Sequence, residues 1–411
     1  MLSNMIKVRD TLQALTPAQH GVDGRQIYIY GEGWNFGEVA DNQRGVNATQ
    51  LNLAGSGIGS FNDRIRDGSR GGGPFDGGQD LKKQGFITGL ATDPNDLNQG
   101  TPEEQRNRLL LFQDQIRVGL AGNLKDYQFT DRTGATVKGS QVDYNGSPTG
   151  YTSDPQEVIN YNEAHDNLTL FDGIQLKAPA TATITDRVRM QTLGISLIAL
   201  GQGVPFFHAG QDLLRSKSFD GNTYNSGDWF NRLDWTYTTN NFGVGLPVDQ
   251  ESNWPVFTPL LANRAIWPST ALIQSTKTHF EEMLRIRKSS PLFRLRTAAE
   301  IQSQVSFLNT GPSQESGLIV MVLSEPRVTH LDNPYKRIVV VYNANPTAKT
   351  FTEQSFRNIQ MRLHPVQQAS ADPLVRTSTY DSAEGTFVVP PRTTAVFVQT
   401  ERQLALPIVR R

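Results

Sequence analysis

The chain contains no cysteine in 411 residues. That excludes disulfide frameworks, thiolate metal centres and a cysteine nucleophile, and it leaves the compartment open between cytoplasm and export. Charge of one sign is missing as well: 39 Lys and Arg face 40 Asp and Glu, for a formal net charge of −1. So even a balance offers no electrostatic footprint for nucleic acid or for an anionic membrane. Nor is there an apolar run near the roughly 20 residues a bilayer-spanning helix needs, so the chain is expected to be soluble. The N-terminal "MLSNMIKVRDTLQALTP" lacks the continuous apolar core and small-residue cleavage site of a signal peptide. Its apolar Met5, Val8, Leu12 and Leu15 have the spacing of an amphipathic helix stopped by Pro17.

What is present reads as two grammars. Up to about residue 290, short apolar strands alternate with helices. "QIYIYG", a strand ending near Phe61, "EVIN" and "VPFF" are the strands. "TPEEQRNRLLLFQDQIRVGL", with Thr101 as N-cap and Pro102 at the first position, "TDRVRMQTLGISLIAL" and "THFEEMLRIRKSSP" are helices. This alternation predicts parallel βα units with both sheet faces covered. From Pro291 onward, "GLIVMVLSE", "KRIVVVYNANP" and "GTFVVPPRTTAVFVQT" are β-branched and aromatic runs between turn residues. They predict an all-β C-terminal domain, an antiparallel sandwich over 291–411. The triple glycine Gly71, Gly72, Gly73 fits neither the Walker nor the dinucleotide pattern and reads as a surface loop.

Functional groups of α/β barrels sit at the C-terminal ends of strands. Three such ends are polar: Glu32 with Trp34; His165, Asp166 and Asn167; and His208 with Gln211 and Asp212. Alone, each has a bland alternative as a cap or a salt-bridge member. Together, a carboxyl group, an aromatic beside it and a His-Asp pair on a later strand suit glycoside chemistry. There one carboxyl protonates the leaving oxygen, a second attacks or stabilises the oxocarbenium-like transition state, and aromatics stack on sugar rings.

Long motifs sharpen this. "YGEGWNFGEVADNQRGVNATQLNLAGSGIGSFNDRIRDGSRGGGPFD", "VINYNEAHDNLTLFD", "VPFFHAGQDLLRSKSFD" and "YNSGDWFNRLDW" resemble segments of the pullulanase and limit-dextrinase debranching enzymes of the α-amylase superfamily, glycoside hydrolase family 13. The resemblance implies α/β plus all-β architecture: the second half of a (β/α)8 barrel over residues 1–290, then the β-sandwich. It implies cleavage of α-1,6-glucosidic branch linkages in an α-glucan. By the same resemblance Glu32 is the general acid/base, Trp34 lines the subsites, His165 and Asp166 bind the sugar at the cleavage point, and Asn167 adds substrate contacts. Asp228 and Arg232 of "SGDWFNR" are then sugar contacts, against the alternative of a loop salt bridge.

The superfamily's nucleophilic aspartate does not have a matching position. Asp10 lies inside the first helix and Asp23 in the turn after it, so neither stands at a strand end. The chain is therefore expected to be the C-terminal portion of a debranching enzyme, inactive alone, with the missing N-terminal half as its partner. Two rivals stand beside this: a non-catalytic carbohydrate-binding remnant, and another superfamily specificity such as an isoamylase or an α-1,4-acting amylase. The chemistry requires no cofactor. Calcium often accompanies the family, and Asp93, Asn95, Asp96 and Asn98 resemble a calcium loop, but Leu97 stands at the third ligand, which favours a capped turn.

Overall fold

A computed structural model describes residues 1–325 and 333–400. Its first sheet has four parallel strands in spatial order β1 (Tyr30–Gly31), β2 (Gly59–Asn62), β3 (Val158–Asn160) and β4 (Val204–Pro205). The register pairs Gly31 with Ser60, Asn62 with Asn160 and Asn160 with Pro205, so the strands end together on one side. Helix α1 (Leu2–Gln13) precedes the sheet, α2 (Asp63–Arg70) and α3 (Pro102–Leu120) connect β2 to β3, and α4 (Leu170–Lys177) and α5 (Ile184–Leu200) connect β3 to β4. Helix α6 (Thr270–Lys288) packs along α5. Thr101 caps α3 in a full capping box with Glu104, which satisfies orphan N–H groups at both ends of the box.

One expectation needs correcting. "QIYIYG" is not a buried strand: only Tyr30–Gly31 pairs, at the sheet edge, and Tyr30 is 48% exposed. An edge strand has a neighbour on one side only, so its apolar side chains are covered only in part. The amphipathic α1 likewise buries no residue. The sheet is also not apolar throughout. Ser60, Asn62 and Asn160 are buried in it, and Asn62 Nδ2 donates to Asn160 Oδ1 at 2.8 Å.

The C-terminal part has two antiparallel sheets. The larger holds β5 (Val305–Leu308), β6 (Leu318–Ser324), β7 (Tyr335–Asn343), β9 (Arg362–Leu363) and β12 (Thr393–Thr400), in the order β9-β12-β7-β6-β5. The smaller holds β8 (Lys349–Thr352), β10 (Thr379–Asp381) and β11 (Thr386–Val389), in the order β8-β11-β10. Alternate residues explain the continuous apolar runs of β6, β7 and β12. Val320, Val341 and Phe397 face the smaller sheet and its Phe387. Met321, Val340 and Val398 face the other way and join one core with Ile116 of α3, Leu197 of α5 and Met283 of α6. The junction near Pro291 belongs to that core too, through buried Leu292, Phe293 and Leu295.

His279 of α6 is half-buried against α5, its Nε2 2.9 Å from Ser196 Oγ, and desolvation lowers its pKa to about 4. His364 is buried beside Ser289 and Tyr335 and is lowered to about 4 for the same reason. The unfolded chain protonates these imidazoles first as pH falls. Their contribution is therefore fully present above the ordinary histidine value of about 6.5 and is lost as pH drops toward 4. Buried Asp172, raised to about 6 by burial, acts in the opposite sense. Urea midpoints are expected to fall between pH 7 and pH 4.5, and to fall less in His279→Gln; an equal fall in both proteins would contradict this account.

Candidate active site

Each parallel strand delivers side chains to one cleft at its C-terminal end. Glu32 follows β1 directly, Phe61 is near the end of β2, Tyr161 follows β3 and Phe206 follows β4. The three rings form a floor: Phe61 lies 5.0 Å from both Tyr161 and Phe206, edge to face in each case. The cleft has a volume of about 560 Å³, and Trp34, Asn167, Arg70 and the 90% exposed Phe75 also line it. A second cavity of about 400 Å³ adjoins it, sharing Arg70, Phe75, Asp166 and Asn167.

Within the cleft Glu32, His165 and Asp166 converge. One side-chain oxygen or nitrogen of each lies within 4.8 Å of the other two, and all three residues are exposed. His165 Nδ1 is 3.3 Å from Asp166 Oδ1. Two carboxylates and an imidazole could surround a cation. The same set is also suited to moving a proton and holding a polar ligand, with aromatic faces alongside for a sugar ring.

Local backbone geometry aims these groups. Gly33 sits at φ +69°, its carbonyl accepts from Gln50 N–H at 2.8 Å, and a Cβ there would come within 2.8 Å of Ser60 Cβ. The turn between Glu32 and Trp34 thus needs a residue without a side chain. Gln50 then donates to the Phe61 carbonyl at 2.7 Å and to Asp63 Oδ1 at 3.0 Å, fastening the long loop to β2. The glycine run has a packing cause: at Gly71, φ +84°, the chain passes so close to Gln84 that a Cβ would lie 2.2 Å from its carbonyl carbon.

Guanidinium groups of α2 support the floor. Arg66 Nη1 donates to the Tyr161 hydroxyl at 2.7 Å while its Nε donates to Asp67 at 2.6 Å. Burial raises Tyr161 to about 12, so it stays a neutral phenol. Arg70 is 7% exposed and spends one long hydrogen bond on the Asn162 carbonyl, at 3.5 Å. Burial, with Arg66 nearby, lowers its pKa.

The structure brings Glu32, Trp34, His165, Asp166 and Asn167 to the cleft. Asp228 and Arg232 do not line it; Asp228 opens the short surface helix Asp228–Asn231 and Arg232 follows it, and no ion pair joins them among the described residues. His208 stands behind the cleft, between buried Glu163 and Arg215. Asp93 is engaged by Arg392, Asp96 by Lys82, and Asn95 caps Leu97 and donates to two backbone carbonyls. That loop's side chains are thus spent on protein partners. The sequence alone does not mark the aromatic floor or Arg70; only an aromatic residue at or just past each strand's end could signal the rings.

Residues 237–400 match the family model for alpha-1,6-glucosidases, pullulanase-type, C-terminal. The chain is 49% identical to pullulanase 1, chloroplastic, of Arabidopsis thaliana, covering 97% of this chain and 42% of that protein. It is 39% identical to a pullulanase of Klebsiella pneumoniae, over 96% of this chain and 35% of that protein. The maltotriose complex of Klebsiella pneumoniae PulA superposes with a TM-score of 0.88 at 37% identity, over 98% of this chain and 42% of that one. The chain thus spans well under half the length of these relatives.

Gly33 yields a direct test. Gly33→Ala is expected to cost about 1–3 kcal/mol of stability by urea unfolding, from forced φ and the Ser60 contact. Gly31→Ala, where a Cβ meets nothing within 4 Å, is the control and should be near neutral. Equal effects at both positions would remove the argument from the turn.

Proposed function

This chain is related to the C-terminal portion of pullulanases, and from that premise we propose that it carries the acid–base side of an α-1,6-glucosidase that debranches α-glucans. The observation that carries the proposal is the meeting of Glu32, His165 and Asp166 in an aromatic-floored cleft at the strand ends. Glu32 is the general acid that protonates the glycosidic oxygen and the base that later activates water. His165 and Asp166 hold the glucose unit at the cleavage point, where Asp166 opposes the developing positive charge. Trp34 stacks on a neighbouring ring, and Asn167 reads a hydroxyl. Asp228 and Arg232 contact more distant sugar units across the surface.

The architectural counterpart is that residues 1–290 form a segment of a (β/α)8 barrel and 291–411 a β-sandwich domain, of which 326–332 and 401–411 lie outside the described residues. Four parallel strands ending together, with helical crossovers, support the first part. The nucleophilic carboxylate is then supplied by sequence in the unspanned share of the relatives, beside the open edge of β1.

One observation favours a second reading. Retaining glycosidases hold their two carboxyl groups about 5 Å apart, and Glu32 and Asp166 have oxygens within 4.8 Å. Asp166 would then attack the anomeric carbon itself, and the chain would need no partner.

Pullulan hydrolysis by the purified chain separates the readings. The proposal expects no useful turnover from the chain alone and recovery when an upstream pullulanase segment is co-expressed. Turnover by the chain alone, abolished in Asp166→Asn, would install the second reading. In the complete enzyme Glu32→Gln is expected to lose roughly two to four powers of ten in rate. Activity within a few-fold of the parent would remove Glu32 from the acid role. A panel of pullulan against amylose decides the linkage: preference for amylose would point to an α-1,4 specificity, and maltotriose binding with no turnover in the complete protein to a binding remnant.

A further inference from the structure

Behind the cleft lies a segment whose backbone is held in an unfavourable shape. Leu214, Ser218 and Phe219 have φ of +60°, +51° and +68°. Side chains bearing a Cβ adopt that region rarely, so such a segment persists only where its surroundings enforce it. The enforcing group is Asp172 on α4. Its buried carboxylate accepts from Lys217 N–H at 2.8 Å, Phe219 N–H at 3.3 Å and the Ser216 hydroxyl. The Phe219 ring is locked against Phe257, stacked at 4.9 Å, and against Phe242.

The segment aims Lys217. Its side chain is 1% exposed, and its Nζ donates to the His165 carbonyl at 2.8 Å. The loop from Glu163 to Leu170 is fixed in two more places. Glu163 accepts from Leu170 N–H across the base of the loop, and Asn167 N–H donates to the Gly221 carbonyl at 3.0 Å. A closed circuit results: His165, along the chain to Asp172, across to residues 216–219, and back through the ammonium to His165. Burying an ammonium costs stability, and here the nearby carboxylates of Asp172, Asp220 and Glu163 offset that cost while the one side-chain hydrogen bond goes to the His165 carbonyl.

We propose that Lys217 is a positioning residue: it fixes the backbone at His165 so that the imidazole of His165 and the carboxylate of Asp166 face Glu32. The glycosidase reading of the cleft enters only in what this does to sugar binding. The charged groups facing the ammonium are Asp172 from α4, Arg215 and Asp220 from its own segment, and Glu163 from beyond β3. Burial lowers Lys217 to about 8. The charge-assisted bond to His165 is thus complete below that value and weakens as pH rises through it.

Two measurements test the inference. In the unmodified chain, with no sugar present, the 13C signal of the His165 carbonyl is followed from pH 7 to 11. A step is expected as the ammonium loses its proton; a trace flat over the whole range overturns the proposal. In Lys217→Met, with circular dichroism as the check on folding, the His165 ring signal should move while those of His279 and His364 stay. Maltotriose binding, read by the same signals, should weaken roughly tenfold. An unmoved His165 ring, with binding within twofold of the parent, also overturns it. If the variant does not fold, the carbonyl trace in the unmodified chain decides alone. Failure of the parent to bind maltotriose would count against the glycosidase reading and leave the His165 measurements valid.

Discussion

The side-chain amide of Asn160 is the interaction on which the rest turns. It donates to the carbonyls of Gly119 and Gln202, both at 2.9 Å, and accepts from Asn62. One buried residue thereby ties β3 to β2, to the end of α3 and to the loop after α5. Buried amides are expensive unless all their bonds are made, so the arrangement is close to all-or-none. Its consequence is alignment. With Asn62 and Asn160 locked side by side, Phe61, Tyr161 and Phe206 arrive at one level, and the cleft has a floor.

Above that floor Glu32, His165 and Asp166 are exposed, and order is imposed on them from behind. Glu32 is turned by Gly33, the His165 loop is fastened by buried Glu163 and Lys217, and the Lys217 segment is held in turn by Asp172. Solvent reaches the atoms that would touch a ligand, while Glu163, Lys217 and Asp172 behind them are buried. Such a division suits a site for a hydroxyl-rich ligand: the contacting groups must exchange water for sugar, and their supports must not move when they do.

Much of this was legible in the sequence, and the parts that were not share a cause. Thr101 and Glu104 mark the start of α3 because a capping box is local. The runs of β6 and β7 read as strands because both their faces are buried, which leaves continuous apolar sequence. Glu32, His165 and Asp166 stand out through long motifs. The exposure of "IYIY" is not legible, because exposure at a sheet edge depends on what lies beside the strand rather than on its own letters. Arg70, Asp172 and Lys217 look like ordinary helix and loop charges. Their roles come from partners far along the chain, as in Arg70 to Asn162 and Lys217 to His165. Asp228 and Arg232 belong to a plausible motif, yet no local pattern says how far a loop stands from a cleft.

The five-stranded sheet contributes no side chain to the cleft, and still it is not a passenger. Its inner face completes the core that α3, α5 and α6 share, and Asn160 ties the end of α3 to the parallel sheet. Take that face away and Leu197, Ile116 and Met283 lose a wall together. The thermodynamic unit is therefore larger than the chemical one. A substitution at Met321 or Val398 in the tail therefore reaches α3, α5 and α6 as well, whereas the outer, three-stranded layer shares its core with C-terminal residues alone.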